Sequence, residues 1–436
     1  MRFSDTIFAP ATLKGQSGLS VVRVSGPSVE TVLRRIAGKL PEPRYMVLCD
    51  LVDPRDGFRI DEALVVRFEE GASFTGEPVA EFQVHGSVAV VDALCSAIGA
   101  MDECRYAEEG EFTARAFRNG RMDLTQVEGL ADLIAAETRE QHKLANRVFS
   151  GALGEAVNSW REGLLQAQAT LEATIDFSDE ELPEGLLEKA RDDLKNLIAD
   201  LDLELNGYPA ARRLRDGLEV AIVGKPNVGK STLLNRLAGR EAAITSSVAG
   251  TTRDVVEVRL NIAGRSVLVL DTAGIREATD SVERIGVSRT MERASQADLR
   301  VFLVERLDEV TEFGVDVGSD DLVVLSKVDK NPEAKEFGVS GLTGQGVERL
   351  FNELEERVVK LSSGGSKISQ ERQRVAVETA KLEAVAALSF LDDGLENVDL
   401  SAEHLRSSVL ALDSLVGRID VEDVLGKIFS RFCIGK

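Results

Sequence analysis

Residues Leu218–Val223 form an apolar, strand-like run that passes into Gly224-Lys225-Pro226-Asn227-Val228-Gly229-Lys230-Ser231 and then into helical spacing at Leu233, Leu234 and Leu237. A strand, a glycine-bounded loop and a helix in that order leave few architectures open, and the strand and helix alternation that follows predicts an α/β module. The glycines at both ends let backbone N–H groups turn inward around phosphate oxygens, and the helix N-terminus adds a favourable dipole. Lys230 is then spaced to reach terminal phosphates and Ser231 to offer a hydroxyl to Mg2+, with Asn227, Val228, Gly229 and Thr232 completing the phosphate-contacting set.

Three further motifs follow in order. Asp271-Thr272-Ala273-Gly274 comes after the apolar strand Ser266–Leu270, where a carboxylate can hold Mg2+ through water and a glycine N–H can sense the γ-phosphate. Ser326-Lys327-Val328-Asp329 comes after the strand Leu322–Leu325, and the carboxylate of Asp329 can accept both N–H groups on the guanine edge, a pattern adenine lacks. Ser340-Gly341-Leu342 would close the base pocket with a backbone N–H to the guanine carbonyl. The set predicts GTP rather than ATP.

At 436 residues the chain calls for about three domains. Its formal charge of -22 leaves no broad cationic surface for a nucleic-acid backbone, so nucleic acid, if bound, needs help from a second protein. Cys49, Cys95, Cys104 and Cys433 are widely spaced and only three histidines occur, which supports neither a disulfide framework nor a zinc site. No apolar run is long enough to span a bilayer and no leader is evident, so the expected location is cytoplasmic, with no membrane partner.

Ahead of the nucleotide module, apolar runs at Leu19–Val24, Tyr45–Val52, Ala63–Phe68 and Val79–Val84, with a helical stretch after Pro27, predict a small α+β domain. From Met122 the period becomes helical, with Leu124, Val127, Ala131 and Ile134 on one face and apolar spacing continuing through Leu144, Val148, Trp160, Leu164, Leu171 and Ile175. Between Glu172 and Gly207 twelve acids stand against three bases, readable as a solvated helical hairpin turning near Pro183 or as a docking surface for a basic partner. After a linker-like Ser362-Ser363-Gly364-Gly365-Ser366, helical spacing resumes at Val375, Leu382, Val385, Leu388 and Leu391, then at Leu405, Val409, Leu412 and Val416. The expected division is 1–121 α+β, 122–215 helical, 216–363 an inserted Ras-like P-loop module, and 364–436 a second helical piece: a multidomain α/β plus α architecture with a discontinuous helical domain.

The nucleotide motifs resemble those of TRAFAC-class GTPases, in which the guanine motif usually begins with Asn or Thr and the last motif reads Ser-Ala-x. Ser326 and Gly341 depart from both, which predicts weaker nucleotide binding and fast exchange. Ile275 occupies the position where Ras-like enzymes carry the water-orienting glutamine and cannot hydrogen-bond through its side chain. Asn227 and the segment Ser246-Ser247-Val248-Ala249-Gly250-Thr251-Thr252-Arg253-Asp254 suggest instead a monovalent cation near the phosphates, in the role of an arginine finger.

Gly250-Thr251-Thr252-Arg253-Asp254, Asp271-Thr272-Ala273-Gly274-Ile275-Arg276 and Val282-Glu283-Arg284-Ile285-Gly286 together resemble the MnmE (TrmE) family of tRNA-modification GTPases. The likeness extends through Asp5-Thr6-Ile7, Val22-Arg23-Val24-Ser25-Gly26, Phe74-Thr75-Gly76-Glu77, His85-Gly86, Gly110-Glu111-Phe112 and the terminal Phe432-Cys433-Ile434-Gly435-Lys436. The resemblance implies GTP contacts along Ser246, Ser247, Val248, Ala249, Gly250, Thr251 and Thr252, with Mg2+ on Ser231 and Thr252. It implies K+ on Asn227, Ser246, Val248 and Thr251, and Glu283 ordering the attacking water from a distance.

It further implies a homodimer through the N-terminal domain, with GTP-dependent pairing of the nucleotide domains. A 5-formyl- or 5,10-methylene-tetrahydrofolate donor would contact Arg23, Glu81, Arg121 and Lys436. Cys433 shares an apolar helical face with Leu425 and Phe429, as core cysteines do, or in the family context is a nucleophile toward C6 of a uridine. The implied activity is K+-stimulated GTP hydrolysis that, with the flavoprotein MnmG, builds an aminomethyl or carboxymethylaminomethyl group on C5 of the tRNA wobble uridine, tRNA being held mainly through that partner. A regulatory or ribosome-assembly switch GTPase shares the nucleotide motifs and is the alternative.

Overall fold

The computed structural model describes residues 5–176, 185–239, 256–271, 296–313, 316–330, 336–393, 397–419, 422–430, 432 and 434–436. The chain divides into two compact units, one of Met1–Ala131, Val148–Leu165 and Arg406–Lys436, the other of Asp132–Arg147 and Gln166–Leu405.

In the first unit, β1 (Thr6–Pro10), β2 (Ser17–Ser25), β3 (Val47–Val52), β4 (Arg59–Phe68), β5 (Val79–Gly86) and β6 (Cys104–Tyr106) form one sheet in the order β3-β4-β5-β2-β1-β6. Strict alternation puts Val22, Val24, Ala63, Val65, Phe82 and Val84 in one core with Val29, Val32, Leu33 and Ile36 of α1 (Val29–Ile36) and Leu94, Cys95 and Ile98 of α2 (Val88–Gly99). The opposite face carries Leu48, Leu64 and Leu19, all exposed, with Leu48 directly across from Leu64. The four sequence-predicted strands are present with bounds differing by a few residues, whereas β1 and β6 escaped the apolar pattern because one ends in proline and the other has only three residues.

The helical spacing after Met122 predicts one long stretch, and the structure breaks it into α4 (Leu124–Ala135), α5 (Arg139–Phe149) and α6 (Ala152–Asp176), after α3 (Glu111–Arg118). Thr138 and Gln141 account for the restart at α5. The Gln141 side chain accepts from the Thr138 N–H at 3.1 Å while the Thr138 hydroxyl accepts from the Gln141 N–H at 3.4 Å, a reciprocal cap that periodicity does not report.

In the second unit, β7 (Leu218–Val223), β8 (Val256–Ile262), β9 (Arg265–Asp271), β10 (Leu299–Val304) and β11 (Leu322–Leu325) form a sheet ordered β11-β10-β7-β9-β8, parallel except for the β8–β9 hairpin. Its core gathers Val220, Ile222, Val269, Val301 and Val324 with Leu233 and Leu237 of α8 (Lys230–Ala238) and Leu350 and Leu354 of α9 (Val347–Leu361). α7 (Leu186–Asp216) pairs with α10 (Glu371–Asp392), followed by α11 (Val398–Val416) and α12 (Glu422–Phe429). The turn expected near Pro183 lies outside the described residues.

Two readings of this region are corrected. On α10 the expected apolar face is exposed at Val375, Leu382 and Val385, half-buried at Leu388 and buried only at Leu391, while Val377, Ala380, Ala384 and Ala387 are buried. Small alanines admit the neighbouring helix more closely than the larger side chains would, so size rather than hydropathy selected the face. The segment Ser362–Ser366 is a fixed joint rather than a loose linker. The Ser362 hydroxyl accepts from Arg265 Nε at 2.6 Å, and the buried Ser366 hydroxyl lies 3.1 Å from Glu204 Oε2, which also accepts from the Lys367 N–H at 2.7 Å. Gly/Ser composition measures intrinsic freedom, and here every described hydroxyl of the segment has a partner.

Candidate nucleotide site

The glycine loop leaves β7 at its carboxyl end, beside the end of β9, because Ile222 and Asp271 are register partners in a parallel pair. Gly229 caps α8 at φ +109°, a conformation other residues adopt only with strain, and Lys230 and Ser231 open the helix. Ser231 Oγ lies 2.5 Å from Asp271 Oδ2, so two hard oxygen donors expected near Mg2+ meet without assistance from any ligand. Lys230 is buried, and its ammonium donates to the carbonyls of Gly224 at 2.6 Å and Lys225 at 2.9 Å. Burial holds its pKa below the usual lysine value, with Asp271 opposing the shift. A buried ammonium whose described hydrogen bonds go to carbonyls, with the Asp271 carboxylate nearby but bonded to Ser231, is a site prepared for an anion. Val228 is buried, whereas Asn227, at φ +61°, and Thr232 are exposed.

The base-side motifs follow β11. Ser326 and Val328 are buried and Lys327 sits at φ +54°. The Ser326 N–H donates to Val304 O at 2.7 Å, but its hydroxyl is buried with no hydrogen-bond partner among the described residues. Asp329 lies in a single 3-10 turn, Val328–Lys330, and is half-buried. Ser340 is buried and its hydroxyl accepts from the Thr343 N–H at 3.2 Å, while Leu342 is exposed and its carbonyl accepts from Arg236 at 2.8 Å. A Cβ placed on Gly341 would sit 2.9 Å from the Leu233 backbone nitrogen, so the departure from alanine brings this loop onto the first turn of the phosphate helix. Ser246–Thr252, Thr272, Ala273, Gly274, Glu283 and Cys433 lie outside the described residues.

Spacing missed the acidic rim. The 3-10 turn Leu307–Phe313 follows β10, and its Glu309 and Glu312 reach Lys225 Nζ at 3.1 and 2.8 Å. Glu305 reaches Lys327 Nζ at 2.6 Å. No local signal announces these pairs, because Lys225 and Glu309 stand 84 positions apart.

In the first unit Arg23 and Glu81 are register partners on β2 and β5 and form an ion pair at 2.9 Å. The Arg23 guanidinium lies over the rings of Phe74 and Phe112, 5.6 and 5.7 Å from their centres. The exposed Arg121 lies beside Gly76 in the Phe74 loop, and the terminal Gly435 packs on Pro10, one residue beyond Ala9, which faces Arg23 across β1 and β2. Lys436 is half-buried. Next to them, Arg115 is buried in bonds to Asp5, Glu77 and Glu111. Burial acts to raise the Asp5 and Glu111 pKa values, but the guanidiniums of Arg105 and Arg115 outweigh it and hold both below the usual carboxylate range.

The family profile described as "GTP-binding protein TrmE N-terminus" matches residues 6–121, and that of the "MnmE helical domain" matches residues 124–433. The "tRNA modification GTPase MnmE" of Cereibacter sphaeroides (strain ATCC 17025 / ATH 2.4.3) is 49% identical over 432 residues, covering 99% of this chain and 100% of the relative. Those of Dinoroseobacter shibae (strain DSM 16493 / NCIMB 14021 / DFL 12) and Ruegeria pomeroyi (strain ATCC 700808 / DSM 15171 / DSS-3) are also 49% identical, with the same coverage. With the phosphate loop, the Asp271 carboxylate and the base loop at one end of one sheet, and this likeness running the length of the chain, the protein belongs to the MnmE family of tRNA modification GTPases.

Proposed function

We propose that this chain hydrolyses GTP with Mg2+ in order to drive modification at C5 of the tRNA wobble uridine, acting with the flavoprotein MnmG. The meeting of Ser231, Asp271 and the buried Lys230 at the mouth of the phosphate loop carries the reading. These groups fit Mg2+ and a polyphosphate: hydroxyl and carboxylate oxygens for a hard cation, and an ammonium whose described hydrogen bonds go to carbonyls for the anion. Asn227 through Thr232 and Ser246 through Thr252, with Asp271 through Gly274, hold the phosphates. Ser326 through Asp329 and Ser340 through Leu342 hold guanine. Thr252 is the second Mg2+ ligand. When bound, Mg2+ would neutralise phosphate charge, and Lys230 would turn from its carbonyls to phosphate oxygens.

K+ on Asn227, Ser246, Val248 and Thr251 and water ordering by Glu283 belong to this reading, as does the division 1–121, 122–215, 216–363 and 364–436. Homodimerisation uses the open sheet face bearing Leu48 and Leu64, exposed apolar positions that a second copy would cover. A one-carbon folate fits Arg23, Glu81, Arg121 and Lys436, since a pterin offers donors to a carboxylate and its glutamyl tail offers carboxylates to cations. Cys433 then serves as nucleophile toward uridine, and tRNA is held mainly through the partner in the cytoplasm.

GTP hydrolysis at equal ionic strength in KCl and NaCl, with Glu283→Ala beside the wild type, tests the hydrolytic half. Activity in K+ only, lost in the variant, is expected; equal slow activity in both salts sinks the cation mechanism. Cys433→Ser tests the other half: GTP turnover persists and tRNA modification is lost, whereas retained modification would return the chain to the switch-GTPase reading.

A further inference from the structure

We propose that Glu305, in the bend just after β10, and Glu309, in the 3-10 turn that follows, are positioning residues that tie the phosphate loop to the base loop. This rests on the nucleotide reading above. The chain of contacts is continuous. Lys327 of the base loop is held by Glu305 at 2.6 Å. The Glu305 N–H donates to Glu309 Oε2 at 3.0 Å, and the neighbouring Arg306 N–H donates to the same oxygen at 3.4 Å. The other Glu309 oxygen takes the Lys225 ammonium at 3.1 Å, shared with Glu312 at 2.8 Å. The Lys225 carbonyl in turn accepts from Lys230 at 2.9 Å. One carboxylate, four-fifths withdrawn from solvent, therefore anchors the loop that carries the phosphate lysine and braces the backbone that carries the partner of Lys327.

The charge logic explains why an acid stands beside an anion site. Lys225 is the second residue of the phosphate loop, and an unpaired ammonium there could collapse onto the phosphates and drag the loop out of its cradle shape. Paired to Glu309 and Glu312, it is drawn toward the rim, and its carbonyl stays where Lys230 can leave it for phosphate. Glu309 does not touch the nucleotide in this scheme. It fixes the shape of the loop that does, so its removal costs ground-state binding rather than the chemical step.

The test is the affinity of nucleotide-free protein for a fluorescent GDP analogue, with KM and kcat for GTP measured in parallel. Glu309→Gln keeps an acceptor for the two backbone N–H groups while removing the charge. We expect it to weaken binding by about two- to fivefold, the range of a partly exposed ion pair, raising KM with kcat nearly unchanged. Lys225→Met should lose the same factor, the double variant no more than either single one, and Lys225→Arg should restore it. Additive losses, wild-type affinity in Glu309→Gln, or a lowered Tm with unaltered affinity would each overturn the proposal, the last by reducing Glu309 to a brace of its own turn. Wild-type protein that fails to bind the analogue at all would instead remove the nucleotide reading, and this inference with it.

Discussion

Arg115 and Lys230 are both buried cations, and the protein treats them in opposite ways. Arg115 is fully buried and bonded to the carboxylates of Asp5, Glu77 and Glu111, with Arg105 sharing two of them. Lys230 is only 3% exposed, yet its described hydrogen bonds go to the carbonyls of Gly224 and Lys225, and the nearby Asp271 is bonded to Ser231. A charge meant to hold a domain together is neutralised from within the chain. A charge meant for a ligand is left with weak dipolar partners, so that the ligand supplies what is missing.

The sharpest break of that contrast is Arg115→Met, which should lower the unfolding free energy by about 3–5 kcal/mol, because three carboxylates lose a buried partner. Denaturant unfolding followed by circular dichroism measures it. In the corresponding change at the ligand site, Lys230→Met, nucleotide-free stability should hold or rise, since the folded protein disfavours the lysine charge, while GTP turnover falls by about 10²–10³-fold. A stability loss like that of Arg115→Met would show that the two sites are not different in kind.

Saturating nucleotide should supply the missing partner. At a hundred times Kd it should stabilise the wild type by about 2.7 kcal/mol in a thermal melt, and Lys230→Met by much less at the same concentration. The pH dependence follows from the network. Asp5 and Glu111 have folded pKa values below their unfolded ones, so their stabilisation is complete above the unfolded values, near pH 4, and is lost as pH falls through the depressed folded values. Acid titration of the wild type should therefore show a loss below about pH 4 that Arg115→Met lessens and that loss of Arg105, the larger cause at both carboxylates, lessens more. The smallest effect belongs to Ser326, whose hydroxyl is buried without a described partner: Ser326→Ala should raise nucleotide-free stability by about 1 kcal/mol.

The site was legible to the degree that its chemistry is local. Gly224 through Ser231 is contiguous, and its setting between strand and helix follows from the periodicity on either side. Asp271, Ser326 and Ser340 could be ordered along the chain because each follows an apolar run. Arg23 and Glu81 could be named from the family resemblance, but their pairing depends on the register of β2 on β5. Glu111 stands four residues before Arg115 on one helix, but the acids around Lys225 and the Asp5 partner of Arg115 gave no comparable signal, since charged residues 84 or 110 positions apart read as ordinary surface until folding brings them together.

What the amino-acid order determined by itself is therefore a set of short-range decisions: most of the strand and helix segments, where the phosphate loop lies, and the departures at Ser326 and Gly341 from the usual nucleotide motifs. These depend on backbone dihedral preferences and side-chain periods spanning a few residues. Tertiary structure alone decided which face of α10 is buried, that the Ser362–Ser366 segment is a fixed joint, and which acids hold Lys225 and Arg115. Those outcomes turn on side-chain volume and on charges meeting across different elements, and both are settled only when the whole chain packs.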